Sequence, residues 1–186
     1  MRKLLILILF FVFTFISCDR SQNKKELSGQ IPILAWYGVP QEETTIARYK
    51  ELRASGITYN FSMFSNAEAM EKALKIAQKT DVKMIVACPE LKTDPEKTVR
   101  RFMHHPAVAG YYLRDEPGRN DFQELSKWAK RIRAIDDNHF CYLNLLPHYA
   151  VANQLGLNTY REYVHIFITE VPLQLLSFDH YPVIGD

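Results

Sequence analysis

The sequence predicts an α/β protein in which parallel strands are covered by helices. Apolar runs alternate regularly with helix-like stretches. These runs are nearly continuous in apolar residues, as parallel strands covered on both faces are. Polar or aromatic residues close almost every run. The predicted strands span residues 31–37, 57–63, 82–88, 108–114, 140–146 and 175–181.

Helix signals between these runs support the alternation. Between the first two runs, Ile46, Tyr49 and Leu52 recur three apart, and Gly56 follows where a left-handed C′ residue belongs. Ser or Thr followed three residues later by Glu, or Asp before Pro, marks a helix start. We predict N-caps at Ser65, Asp94, Asn120 and Thr159.

Two architectures fit this alternation: an open doubly wound sheet and a (β/α)8 barrel, the TIM barrel. The turn after the first strand holds a single glycine, Gly38, and no phosphate-binding pattern. Strand-end side chains from many strands converge best if the sheet closes, so we predict the barrel. A complete barrel has eight β/α units and typically takes about 250 residues, and this chain holds about six such units. We therefore expect a C-terminally truncated barrel.

The N-terminus predicts a targeting segment. Arg2 and Lys3 precede an apolar run, residues 4–16, which is shorter than the roughly 20 residues of a membrane span. The tetrad ending in Cys18 resembles a bacterial lipobox. The resemblance implies a signal peptide at 1–17, a lipidated Cys18 with a polar tether at 18–30, and a domain at 31–186. An ordinary cleaved signal and an uncleaved anchor are the alternatives.

Cysteine placement, ligand spacing and net charge argue against a disulfide, a metal and a nucleic-acid partner. Cys88 and Cys141 lie in apolar runs on non-adjacent predicted strands, so we expect two buried thiols and no disulfide. Neither the cysteines nor the histidines have metal-ligand spacing, so no metal or other cofactor is predicted. The net charge of +2 is well mixed along the chain, which argues against a nucleic-acid partner.

The most informative stretch is the end of the fourth strand, Gly110-Tyr-Tyr-Leu-Arg-Asp-Glu-Pro117. Proline favours an extended conformation for the residue before it, so Glu116 is predicted at the strand tip, where it suits a general acid/base. The like charge of Asp115 raises a carboxyl pKa. Arg114 has the same strand parity as Glu116 and would lower its pKa by pairing with it. A purely structural ion pair at the strand end is the alternative.

These residues carry a family resemblance. The octapeptide, together with Leu143-Asn-Leu-Leu-Pro147 and Ser177-Phe-Asp-His-Tyr-Pro182, resembles (β/α)8-barrel glycoside hydrolases of the retaining clan A, and most closely beta-galactosidase-like bacterial lipoproteins. The resemblance covers residues 30–186. It implies that Glu116 is the acid/base and that Asp115 replaces the usual asparagine. It also places the nucleophile on a seventh strand beyond this chain, and Glu170 is no substitute.

The resemblance implies a carbohydrate substrate and a location in the bacterial cell envelope, lipid-anchored at the periplasmic face or outer surface. Beside Asp115, the substrate-binding candidates are Trp36, Tyr37, Asn60, Asn144, Asp179, His180 and Tyr181. Three functions remain open: a glycoside hydrolase, a non-catalytic carbohydrate-binding or remnant lipoprotein, and another barrel enzyme with Glu116 as a lone base. Without a seventh unit, we expect weak or absent hydrolysis by this chain alone.

Overall fold

The computed structural model describes residues 31–182, so the predicted signal peptide, Cys18 and the tether lie outside the described residues. The predicted alternation is confirmed. The strands are β1 (Leu34–Trp36), β2 (Tyr59–Phe61), β3 (Lys83–Val86), β4 (Val108–Asp115) and β5 (Phe140–Asn144). The helices are α1 (Ile46–Ala54), α2 (Ala67–Lys79), α3 (Glu90–Thr93), α4 (Pro95–Phe102), α5 (Phe122–Arg133), α6 (Ala152–Leu155) and α7 (Tyr160–Glu170).

The five strands form one parallel sheet in the order β1-β2-β3-β4-β5. The spatial order follows the chain order, as in a barrel, whereas a doubly wound sheet reverses direction at a switch point. The sheet is therefore a half-barrel.

The predicted sixth strand is reduced to one parallel bridge between Phe178 and Leu145. The Leu145 N–H donates to the Ser177 carbonyl, and the Asp179 N–H donates to the Leu145 carbonyl. The preceding Leu175 and Leu176 stay 44% and 45% exposed. Apolar composition alone therefore predicted a longer strand than the backbone pairing supports.

Two apolar layers flank the sheet. The larger one lies between sheet and helices and includes Tyr111, Leu113 and Cys141. The smaller one lies on the inner, concave face and contains Phe61, Ile85, Ala87 and Tyr142. Burying each large apolar side chain contributes about 1.5–3 kcal/mol, so the helix-side layer supplies most of the stability.

Capping explains where several helices begin. Asp94 and Thr159 are N-caps as predicted, with side chains that accept hydrogen bonds from Lys97 N and Glu162 N. The predictions at Ser65 and Asn120 were wrong. At α2 the next residue, Asn66, caps by accepting from Ala69 N.

A 3-10 turn, Arg119–Asp121, precedes α5 and contains Asn120. Asp121, not Asn120, supplies the capping oxygen there: its Oδ2 accepts from Gly118 N at 2.9 Å. The polar residue whose side chain reaches a free N–H acts as the cap. A spacing pattern in the sequence cannot tell which of two adjacent polar residues this will be.

The two cysteines of the described domain are buried and free. Cys88 follows β3 and Cys141 lies on β5, so β4 separates them. Within residues 31–182 no group of three or more His, Cys, Asp or Glu side chains is placed to hold a metal ion. No helix of this region has the length and apolar character needed to cross a bilayer.

Candidate active site

A β-bulge shapes the carboxyl end of β4. Tyr112 pairs with Tyr142 and Arg114 pairs with Leu143, which leaves Leu113 without a partner on β5. An extra residue of this kind shifts side-chain alternation by one position. Asp115 consequently pairs with Asn144, and both side chains line the same pocket on the concave face.

Glu116 follows the bulge in a left-handed conformation, with φ = 42°. The predicted extended conformation is therefore wrong. Two contacts override the local preference set by proline. The Glu116 N–H donates to the Asn144 carbonyl at 2.8 Å, and the Tyr163 hydroxyl donates to the Pro117 carbonyl at 2.6 Å. Such strain persists where the surroundings over-determine the backbone, which occurs often at functional sites.

A hydrogen-bond network fixes Asp179 opposite β4. Asn144, only 6% exposed, donates from Nδ2 to Asp179 Oδ1 and accepts at Oδ1 from the Ser177 hydroxyl at 2.8 Å. The Tyr181 hydroxyl donates to the other Asp179 oxygen at 3.5 Å. Asn144 therefore links the two sides of the site, since its backbone carbonyl also accepts a hydrogen bond from the Glu116 N–H.

Three carboxyl groups lie close enough to interact electrostatically: Asp115, Glu116 and Asp179. Glu116 is an exposed residue, yet the desolvation that remains raises its pKa, and the negative charges of Asp179 and Asp115 raise it further. The pKa of Asp115 is also raised, by burial first and then by Asp179. A carboxyl with a raised pKa retains its proton to higher pH, which suits a general acid.

Arg114 does not offset this effect as the parity of β4 suggested. The guanidinium pairs with Asp121 at 3.1 Å. The bulge lies before Arg114 and leaves the alternation after it unchanged. The left-handed backbone at Glu116 is what ends the regular alternation and separates the two side chains. The strand-end ion pair considered as a structural alternative for Glu116 is thus formed by Asp121 instead.

Two of these carboxyls, Asp115 and Asp179, line an open pocket of about 440 Å³ together with Trp36, Tyr142, Asn144 and Tyr181, whereas Glu116 is not among the lining residues. Trp36 is 38% exposed and its ring lies 4.6 Å from that of Phe61. Tyr37, 57% exposed, lies 6.0 Å from Trp36. Exposed aromatic faces next to carboxyl and amide groups can stack on a sugar ring while polar groups bind its hydroxyls.

Four sequence-predicted site residues are not among those that line the pocket: Glu116, Tyr37, Asn60 and His180. Asn60 is fully buried, accepts from Val39 N at 2.9 Å and donates to the Tyr49 hydroxyl at 3.5 Å, so it holds the loop after β1. His180 is exposed and its ring lies 5.6 Å from that of His148.

Sequence reasoning missed four residues that line the pocket, namely Leu34, Tyr142, Ser177 and Phe178. A signal was present for three of them, because Leu34, Tyr142 and Ser177 each lie two residues before a predicted site residue and a strand repeats its faces every second residue. Phe178 follows no such rule, and it forms the single bridge to Leu145.

No family model matches the chain, and no curated protein matches it. Solved structures do. A glycosyl hydrolase family 2 member from Bacteroides cellulosilyticus superposes with a TM-score of 0.53 and 10% identity over 82% of this chain. This likeness supports a partial (β/α)-barrel fold for the described residues. The chain spans only 22% of the length of that hydrolase.

Weaker likenesses come from two further hydrolases. An endo-1,4-beta-mannanase from Eisenia fetida gives a TM-score of 0.48 at 10% identity, covering 72% of this chain and 59% of the mannanase. A glycoside hydrolase family 5 protein from Bacteroides vulgatus gives 0.44 at 11% identity, covering 80% and 48%.

Proposed function

We propose that this chain is a glycoside hydrolase-like protein that acts on O-glycosidic bonds of oligo- or polysaccharides, with Glu116 as the acid/base. One observation carries the proposal: Glu116, whose pKa is raised, follows at a parallel-strand end directly after Asp115, which lines an aromatic-containing pocket. The likeness in fold to a family 2 hydrolase supports the same function class.

The chemistry assigned to Glu116 is proton transfer. Its carboxylic acid protonates the glycosidic oxygen as the bond to the anomeric carbon breaks, and the leaving sugar departs as an alcohol. In retaining hydrolysis a second carboxyl about 5 Å away attacks the anomeric carbon, and Glu116 as carboxylate then activates the water that releases the sugar. The negative charge of Asp179 favours the protonated form of Glu116, and Asp179 lines the pocket. We therefore assign Asp179 to keeping Glu116 protonated and to orienting the substrate.

The test compares leaving groups. In the full chain, Glu116→Gln is expected to reduce turnover of alkyl glycosides about 100-fold or more and to spare dinitrophenyl glycosides, whose leaving group needs no proton. Glu162→Gln, on the exposed side of α7, is the matched control and is expected to change neither. Because no nucleophile is assigned, slow absolute rates are expected. Equal loss on both substrates would contradict the acid role.

The second candidate function is carbohydrate binding without catalysis, favoured by the exposed Trp36 and Tyr37 beside the pocket. Trp36 and Trp128 are the chain's two tryptophans, and Trp128 lies away from the pocket with Nε1 bonded to the Leu91 carbonyl. A fluorescence change with oligosaccharide that survives Trp128→Phe but not Trp36→Phe locates binding at the pocket. Binding without turnover of either glycoside would select this candidate.

We also propose that Cys18 is lipidated and anchors the chain to the bacterial cell envelope, on the strength of its sequence context. Metabolic labelling with an alkyne fatty acid in a bacterial host, followed by fractionation, tests it. Label is expected in the wild type and in Cys88→Ser, and it is expected to be absent from Cys18→Ser. Label retained by Cys18→Ser would refute the anchor.

A further inference from the structure

A buried tyrosine of α7 holds the loop that carries Glu116. Tyr163 is completely buried, and its hydroxyl donates to the carbonyl of Pro117, the residue after Glu116, at 2.6 Å. At Glu116 itself, the backbone N–H donates to the backbone carbonyl of Asn144 at 2.8 Å. Glu116 therefore sits between two backbone hydrogen bonds that come from different parts of the fold.

These bonds matter because the Glu116 backbone is strained. A left-handed φ of 42° is unfavourable for a residue with a side chain, and it persists only when surrounding contacts outweigh its cost. Releasing the Pro117 carbonyl removes one of the two contacts. The backbone is then free to turn toward the extended conformation that a residue before proline prefers.

Helix α7 is rigidly attached, so it can act as the fixed support. The Tyr163 ring packs 5.3 Å from that of Phe122 at the start of α5. The Ser126 hydroxyl donates to the Glu170 carbonyl at 2.7 Å, and the Glu170 carboxylate pairs with Arg119 at 2.7 Å. Both ends of α7 are thus tied to the segment that follows Glu116.

We propose that Tyr163 is a positioning residue, which acts through the Pro117 carbonyl to hold the Glu116 backbone in its left-handed conformation at the end of β4 and thereby sets where the Glu116 carboxyl lies. It rests on the proposed function only in assigning Glu116 its catalytic role. Tyr163 itself reaches no pocket-lining position, and its effect on Glu116 passes through the backbone.

The charged and titratable groups that face Glu116 are Asp115, Asp179 and Tyr181, with Tyr163 behind the loop and Asp121 near Tyr163. None of the three nearest carries a positive charge. Glu116 is already exposed, but a Glu116 carboxyl that turned away from Asp115 and Asp179 would lose the negative charges that favour its protonated form. Its titration midpoint would then fall.

The experiment is a carboxyl NMR titration of the full chain without substrate, with the Glu116 signal assigned from its loss in Glu116→Gln. Tyr163→Phe removes only the hydroxyl and is expected to lower the Glu116 midpoint toward that of an ordinary glutamate. Tyr111→Phe is the matched control, because its buried hydroxyl also makes a 2.6 Å bond, to Asp136 before β5. It is expected to lower the urea midpoint comparably and leave Glu116 unchanged.

An unchanged Glu116 midpoint in Tyr163→Phe, or an equal shift in both variants, would overturn the proposal. Amide exchange at Glu116 supplies a second measurement: faster exchange is expected in Tyr163→Phe alone, and equal rates in the two variants count against the positioning role. Neither readout needs a sugar. A chain that neither binds nor cleaves glycosides but shows the selective shift would refute the proposed function and leave the positioning role intact.

Discussion

The left-handed backbone at Glu116 leads to a prediction about glycine. Glycine usually destabilises a folded protein relative to alanine, but at this position we expect the glycine variant to be the more stable. Glu116→Gly and Glu116→Ala both remove the carboxyl, so comparing them isolates the backbone. A left-handed residue with a side chain costs about 1–2 kcal/mol relative to its usual conformation. Glycine avoids that cost but adds about 0.4–1 kcal/mol of freedom to the unfolded chain. We therefore expect Glu116→Gly to be more stable than Glu116→Ala by about 0.5–1 kcal/mol.

Urea unfolding of both variants, followed by circular dichroism, measures the difference. Two further positions calibrate it. Asp81, exposed and with φ = 55°, should show the same sign. Lys83, an exposed residue on β3, should show the reverse, with alanine more stable by about 0.5–1 kcal/mol. If Glu116→Ala proved at least as stable as Glu116→Gly while Asp81 and Lys83 behaved as expected, the argument that Glu116 is strained would fail.

Two other changes test the scaffold beneath the site. Burial opposes ionisation of Asp136, but hydrogen bonds from Tyr111 and His139 outweigh it and hold the Asp136 pKa below its usual value; Asp136→Asn is expected to cost about 1–3 kcal/mol at neutral pH. A lowered folded pKa stabilises the fold at pH values above the unfolded pKa of about 3.9, so the difference in unfolding free energy between wild type and Asp136→Asn should shrink as the pH falls below about 4. A difference that stays constant down to pH 2 in calorimetric scans would contradict the network. Gly110→Ala would place a Cβ 2.4 Å from the Phe140 carbonyl oxygen and is expected to cost about 1–3 kcal/mol; a neutral effect in urea unfolding would show that β4 and β5 separate easily.

The sequence predicted the order of elements because hydrophobic burial determines it. The first five apolar runs each contain a strand at their centre, since a parallel strand must be apolar on both faces. Composition could not reveal that the segment around Phe178 pairs at a single bridge. Whether a strand pairs depends on a neighbour's backbone, which the apolar character of a segment does not encode.

The structure brings Asp115, Asn144 and Asp179 to one pocket, because carboxyl ends of parallel strands share one edge. The extended conformation predicted for Glu116 was wrong. The conformation of Glu116 was missed because it is fixed by long-range contacts from Asn144 and Tyr163. Asn60 shows the converse, since a polar residue at a strand end also serves to hold a loop from within the core.

The unpaired Leu113 also decides the sign of the charge that a solute meets in the pocket. With regular pairing, Arg114 would stand opposite Asn144, where Asp115 now stands. The extra residue thus exchanges a cation for an anion at that position, and Asp179 adds a second carboxyl to the pocket lining. Where these carboxyls are ionised, their negative charge repels anionic solutes. A single unpaired residue in β4 thereby sets the sign of the charge opposite Asn144.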